Sequence, residues 1–257
     1  MSHIGWIYGF LLAALVAAGA YRSNLLTRGG QLAATIVGTI TFAYGGYWGA
    51  SILLAFFLSS ALLSRIGKAR KGAMFDIGKQ GPRDAWQVLA NGGVAAVAII
   101  LTPILGAPML AAFAGAFAAA TADTWATEIG TLARGEPRSI LTFRPLATGL
   151  SGGITLQGSL AQLGGAALIA LVALSLHVAP FWPVFAGGVI GSIADSVLGA
   201  TLQALRYCPQ CRRDCETNPH VCGTPTVIRR GLSWFDNDVV NFTATFCGAV
   251  AALVLRM

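Results

Sequence analysis

Two carboxylates stand where an apolar helix should carry none. Asp123 sits in Ala122-Asp123-Thr124-Trp125-Ala126-Thr127-Glu128-Ile129-Gly130, and Asp195 lies between Gly191 and Gly199, both inside long apolar stretches. A carboxylate at the centre of a membrane helix costs about 2.5–3.5 kcal/mol on insertion scales, so each is a functional candidate. Thr124 and Glu128 share a helix face, as do Asp123 and Thr127. Asp123 and Glu128 are five positions apart, roughly 140° around an ideal helix. They cannot hold one ion together, so Asp123 needs a partner from another helix. Asp195 is that partner in this reading, on a face where Gly187, Gly191 and Gly199 recur every fourth residue. The triplets Ala122-Asp123-Thr124 and Ala194-Asp195-Ser196 hint at an internal repeat.

Two further polar groups open apolar stretches: Arg83 with Asp84, Gln87 and Asn91, and Asp236-Asn237-Asp238 with Asn241. Four helices thus bring hard oxygen atoms to one end of a bundle. Mg²⁺ takes such ligands, keeps several waters and bridges to phosphate; interhelical hydrogen bonding is the plainer account of the Asn and Gln. After Arg144-Pro145 comes Thr148-Gly149-Leu150-Ser151-Gly152-Gly153-Ile154-Thr155. A Gly-rich backbone with hydroxyls can form a nest of N–H groups for an anion, although no P-loop motif is present. A segment over 206–234 carries Cys208, Cys211, Cys215 and Cys222, with His220 nearby and Cys247 apart. This spacing suits structural Zn²⁺ on four thiolates, or on three with His220. Free thiols and a redox pair are the other readings, and disulfides are not expected in a reducing compartment.

The elements that position these groups follow from composition. Among 257 residues 55% are hydrophobic and only 11% charged, less than half the charged share of about 25% in soluble domains. That excludes a soluble enzyme and a disordered chain, and predicts an all-α polytopic membrane protein over 1–257. Eight spans are expected: Ile4–Ala20, Gln31–Ala43, Tyr47–Arg65, Asp84–Thr102, Pro108–Leu132, Ser159–Leu176, Pro183–Leu205 and Phe235–Leu255. Gln31–Ala43 is short of the ~20 residues a span needs, and the count falls to seven if it is re-entrant. The first segment lacks the basic start of a signal peptide and is read as a span.

Charge sets an expected orientation. Of the 17 Lys and Arg, all but Arg256 fall in or beside the four connections 21–30, 66–83, 133–158 and 206–234. Basic loops stay cytoplasmic, so those loops should be inside and both termini outside, in the plasma or inner membrane if the source is bacterial. Topology alone can explain the bias; a site for an anionic headgroup is the other explanation. No nucleic-acid partner is expected, and the oligomeric state is left open.

The chain resembles the integral-membrane family that contains plant and cyanobacterial phytyl-phosphate kinase and vertebrate transmembrane protein 19. The matching residues are Leu26-Thr27-Arg28-Gly29-Gly30, Gly81-Pro82-Arg83-Asp84, Gln87 to Gly92, Ala122 to Gly130, Gly149 to Gly158, and Trp234 to Asn241. The resemblance implies phosphorylation of an isoprenoid monophosphate to its diphosphate by a nucleoside triphosphate. A fainter similarity to CTP-dependent polyisoprenol kinases, through Asp123, Ala126 and Gly130, points to CTP by analogy. The expected site has Mg²⁺ at Asp123 and Asp195, assisted by Glu128, Asp238 and Asn241. Lys79, Arg83, Asp84, Asn91 and Arg144 would contact nucleotide or phosphate, with Gly149, Ser151, Gly152 and Gly153 as backbone donors. The lipid tail is expected on the Gly face of the Asp195 helix. A secondary transporter, a lipid-binding protein and a CTP-dependent cytidylyltransferase are the competing readings.

Overall fold

A computed structural model describes residues 3–67 and 81–257. Among the described residues there are seven helices: α1 (His3–Arg22), α2 (Arg28–Arg65), α3 (Ala85–Leu105), α4 (Pro108–Gly130), α5 (Leu156–Ser175), α6 (Phe181–Thr201) and α7 (Asn237–Arg256). All eight expected segments are helical, at slightly shifted ends. Helix α2 contains two of them. At Gly46 the backbone leaves helical geometry (φ 51°, ψ −142°), a conformation that favours glycine. The chain then folds back on itself. A Cβ on Gly49 would lie 2.8 Å from the carbonyl oxygen of Thr41, and Leu53 reaches Gly38. The short segment Gln31–Ala43 therefore extends over residues 28–45, roughly 27 Å of helix. Six of the described helices (α1, α2, α3, α5, α6 and α7) are long and apolar enough to cross a membrane.

Helix α1 packs on α2, and helices α2, α3, α5, α6 and α7 pack around α4. Its positions from Met109 to Ala122 are buried almost without exception. The run Ala-Ala-Phe-Ala-Gly-Ala-Phe-Ala-Ala-Ala explains this, because small side chains let neighbouring backbones come close. Phe113 and Phe117 fill what remains, edge-to-face at 5.3 Å, with Trp48 and Phe56 against them. The Gly face of α6 is filled as well. A Cβ on Gly187 would lie 2.6 Å from the carbonyl oxygen of Gly248, and one on Gly191 would lie 2.7 Å from that of Ala244. Helix α7 and Ala119 of α4 occupy the space expected for the lipid tail.

The connection between α6 and α7 is folded. Strands β3 (Leu205–Cys208), β4 (Arg213–Cys215) and β5 (Val227–Arg230) form an antiparallel sheet in the order β4-β3-β5. Arg229 stacks over the Tyr207 ring at 3.7 Å and pairs with Asp214 at 2.8 Å. The helical class stands, with this sheet as an addition that helical periodicity could not reveal. A second, two-stranded ladder, β1 (Arg138–Ser139) with β2 (Gly153–Ile154), closes the loop ahead of α5.

Candidate functional site

A polar cavity of about 940 Å³ opens where the N-termini of α3, α5 and α7 meet the C-termini of α4 and α6. It is lined by Asp123, Thr127 and Glu128 from α4, Asp195 and Ser196 from α6, Gln87 and Asn91 from α3, and Asp238 and Asn241 from α7. The four polar faces singled out in the sequence therefore share one chamber. Its centre is the acid pair: the carboxyl groups of Asp123 and Asp195 face each other within hydrogen-bonding range. Two carboxylates so close require a proton or a cation between them. Oδ2 of Asp195 is buried and has no hydrogen-bond partner among the described residues. A buried acceptor of this kind can take a ligand, and the carboxylate and amide oxygens that line the chamber are of the hard type that suits Mg²⁺. Glu128 lines the same chamber, farther along α4 toward its C-terminus.

Arg83 is held at the rim by backbone. Its N–H donates to the carbonyl of Leu25 at 2.9 Å, and its own carbonyl accepts from the N–H of Thr27 at 3.0 Å. Thr27 also caps α2, accepting from the N–H of Gly30, and a Cβ on Gly30 would collide with the carbonyl of Arg83. This accounts for Leu26-Thr27-Arg28-Gly29-Gly30 as a clamp that presents Arg83. Burial pulls the Arg83 guanidinium below its ordinary value, and the Glu128 carboxylate opposes that. Arg65, expected only as a loop boundary, also lines the cavity. Lys79 lies outside the described residues.

Asp84 has a different role from the one expected. It caps α3 by accepting from the N–H of Gln87, whose side chain accepts from the N–H of Asp84 in return, and it is not part of the cavity lining. The Asp-x-x-Gln spacing is itself a capping-box signal. Asp84→Ala is expected to destabilise the protein by about 0.5–2 kcal/mol, read as a lower unfolding midpoint in detergent, while Asp84→Asn retains most of the stability.

The Gly-rich loop lines the cavity through Gly149, Ser151, Gly152 and Gly153. Gly152 (φ 82°) lies against Ala200, where a Cβ would come within 2.8 Å of backbone atoms. The anion that the nest holds in this structure is a side chain. Glu216 accepts from the Ser151 N–H at 2.7 Å, from the Ser151 hydroxyl at 3.0 Å and from Gln203 at 2.8 Å. Burial pushes the Glu216 carboxyl up, and the Ser151 donors and Arg230 hold it back. The Ser151 N–H is thus already engaged, not open to a phosphate as the sequence suggested. Arg144 is exposed on the outer side of the same loop and does not line the chamber. Glu216 was missed because its partner is 65 residues away in sequence; its one signal was an acid among basic residues.

Near the sheet, Cys208, Cys211, His220 and Cys222 present ligand atoms that all lie within 4.8 Å of one another. Cys215 is apart, buried, with its sulfur toward the carbonyl of Thr217 at 3.8 Å. His220 therefore stands where the four-thiolate expectation put Cys215.

The profile of the family described as integral membrane protein DUF92 matches residues 11–249. "Protein PGR" of Arabidopsis thaliana is 31% identical, covering 93% of this chain and 91% of its own length. "Uncharacterized membrane protein MJ0933" of Methanocaldococcus jannaschii is 32% identical over 95% of this chain and 92% of its own. "Protein VTE6, chloroplastic" of Arabidopsis thaliana is 25% identical over 90% of this chain and 65% of its own. No solved structure matches the chain.

Proposed function

The chain belongs to the integral membrane protein DUF92 family, and from that premise we propose that it is a membrane kinase converting an isoprenoid monophosphate to the diphosphate with a nucleoside triphosphate. The observation that carries this reading is the facing pair Asp123 and Asp195 beside a chamber with Arg83 and Arg65 at its rim. The resemblance to the phytyl-phosphate kinase family supports the same reaction. Asp123 and Asp195, with Asp238 and Asn241 alongside, would hold Mg²⁺, which supplies charge neutralisation on the phosphates.

Phosphoryl transfer is mostly positioning and charge compensation. An oxygen of the acceptor phosphate attacks the terminal phosphorus of the donor, its bond to the leaving nucleoside diphosphate breaks, and a new P–O–P linkage forms. The acceptor oxygen is already anionic, so no strong general base is required. Arg83 and Arg65 bind phosphate oxygens at the rim. CTP is the favoured donor by analogy alone. Basic loops at this end support its placement at the cytoplasmic face.

The tail has its own place in this reading. A second, apolar cavity of about 880 Å³ runs between α3 and α7 over Met109 and Ala112 of α4. It is lined by Leu89, Val97 and Leu101 on one side and by Phe242, Phe246 and Leu253 on the other, and it shares Asp236 and Asp238 with the polar chamber. From Trp86 to Leu101 it runs roughly 22 Å along the helix. An isoprene unit extends roughly 4–5 Å at ordinary carbon bond lengths, so four or five units fit. Gly93 lines the groove and a Cβ there would meet nothing. Gly93→Phe is therefore expected to fold normally and to reduce turnover of a geranylgeranyl phosphate by at least about tenfold. Dimethylallyl phosphate, too short to reach it, should be turned over as before. Equal loss with both acceptors would remove the tail from this groove.

The function itself is tested with purified protein in detergent, Mg²⁺, phytyl or geranylgeranyl monophosphate, and CTP, ATP, GTP or UTP in turn. Mass spectrometry should find isoprenyl diphosphate and nucleoside diphosphate in equal amounts. Pyrophosphate release would indicate a cytidylyltransferase, and no turnover by folded protein with any pair would overturn the kinase.

A further inference from the structure

The sheet between α6 and α7 carries four ligand groups that phosphoryl transfer does not use. Cys208 ends β3, Cys211 follows in the turn to β4, and His220 and Cys222 come from a separate turn. The sulfurs of Cys208 and Cys222 are 3.6 Å apart, and Nδ1 of His220 is 3.2 Å from the Cys222 sulfur. Tetrahedral Zn²⁺ with Zn–S of about 2.3 Å separates two ligand sulfurs by about 3.8 Å, so the cluster is already at metal-binding spacing. The N–H of Cys211 also points at the Cys208 sulfur at 3.4 Å, which fixes a thiolate ligand from the backbone as an outer-shell donor does. Cys208 and His220 are buried while Cys211 and Cys222 reach the surface, which gives an ion a way in. Soft thiolates with one imidazole select Zn²⁺ over the hard cation suited to the acid chamber.

We propose that Cys208, Cys211, His220 and Cys222 bind one structural Zn²⁺, and that this metal braces the turn from which Glu216 holds the Ser151 loop at the rim of the polar chamber. The metal joins the β3–β4 turn to the 220–222 turn, and Glu216 lies on the chain between them, one residue beyond β4. Its three hydrogen bonds to Ser151 and Gln203 are the link to the Gly-rich loop. The brace does not depend on which reaction the chamber performs.

Full-length protein purified in detergent without chelator should contain about one zinc per chain by mass spectrometry of the metal. Cys222→Ser and His220→Ala should lower that content about tenfold or more, while Cys215→Ser and Cys247→Ser keep it. Cobalt added to chelated protein should give thiolate-to-cobalt absorption and the visible bands of a tetrahedral site. Chelation of the wild type followed by zinc repletion avoids dependence on variants that fail to fold. Amide exchange over residues 149–153 should rise several-fold on chelation and fall again on repletion. Wild-type protein with under about 0.1 zinc per chain and no cobalt–thiolate absorption would overturn the site. Metal lost in Cys215→Ser but kept in His220→Ala would overturn this ligand set, and unchanged exchange over 149–153 would overturn the brace.

Discussion

Asp123→Asn and Asp195→Asn are each expected to lower isoprenoid-phosphate kinase turnover by about 10³-fold, within the range found when one charged group is removed from a preorganised phosphoryl or oxyanion site. Each substitution keeps the shape and removes one negative charge from a pair whose carboxyl groups face each other. Because the two are read as acting on one cation, the double variant should be little worse than either single one, the non-additive pattern of residues that work as a unit. The folded state should respond in the opposite sense. Like charges close together inside a bundle are unfavourable, so both variants should unfold at the same temperature as the wild type or higher. Turnover from the diphosphate assay and thermal unfolding in detergent check the two halves together. Variants that stay active would make the pair structural. Variants that lose activity only because they unfold earlier would remove the argument that the pair is kept at the expense of stability.

Gly191→Val carries the largest expected effect on folding. A Cβ on Gly191 would lie 2.7 Å from the carbonyl oxygen of Ala244 and would press on Ala119 and Gly248 as well. Three helices meet there, and the atoms in the way are mostly backbone, which cannot rotate aside. Overpacking in a dense core costs about 1–3 kcal/mol, occasionally more, and a β-branched side chain adds two methyls beyond that first carbon. We expect Gly191→Val to unfold at least about 3 kcal/mol more readily than the wild type, seen as loss of the monodisperse peak in detergent chromatography. Gly93→Val is the control, since nothing lies within 4 Å of its Cβ position. Equal tolerance at both positions would mean that α6 and α7 pack less closely than described. The comparison also separates two uses of glycine that look identical in sequence: one permits helix contact, the other leaves a groove open.

Much of the site was legible before any coordinates. Intramembrane acids are costly enough to be conspicuous, and helical spacing put Asp123 and Asp195 on faces that required a partner. Asp84 shows the limit. It fitted a polar face with Gln87 and Asn91, yet a capping box claims its side chain, and local backbone demand outweighs a share in the chamber. Arg144 was placed by proximity to the Gly-rich loop, but it is exposed and does not line the chamber.

The sequence by itself determined that the chain is a helical membrane protein and where its apolar segments lie. Those properties follow from composition and local periodicity, which act over one or two turns of helix. Tertiary structure alone decided what crosses between distant segments: Asp123 against Asp195, Glu216 in the Ser151 nest, and His220 in place of Cys215 among the ligand groups. It also decided that the Gly face of α6 is filled by helices while the open apolar groove lies between α3 and α7. Apolar packing is non-directional. An apolar stripe or a row of glycines therefore states that something will be close, and only the assembled bundle states what.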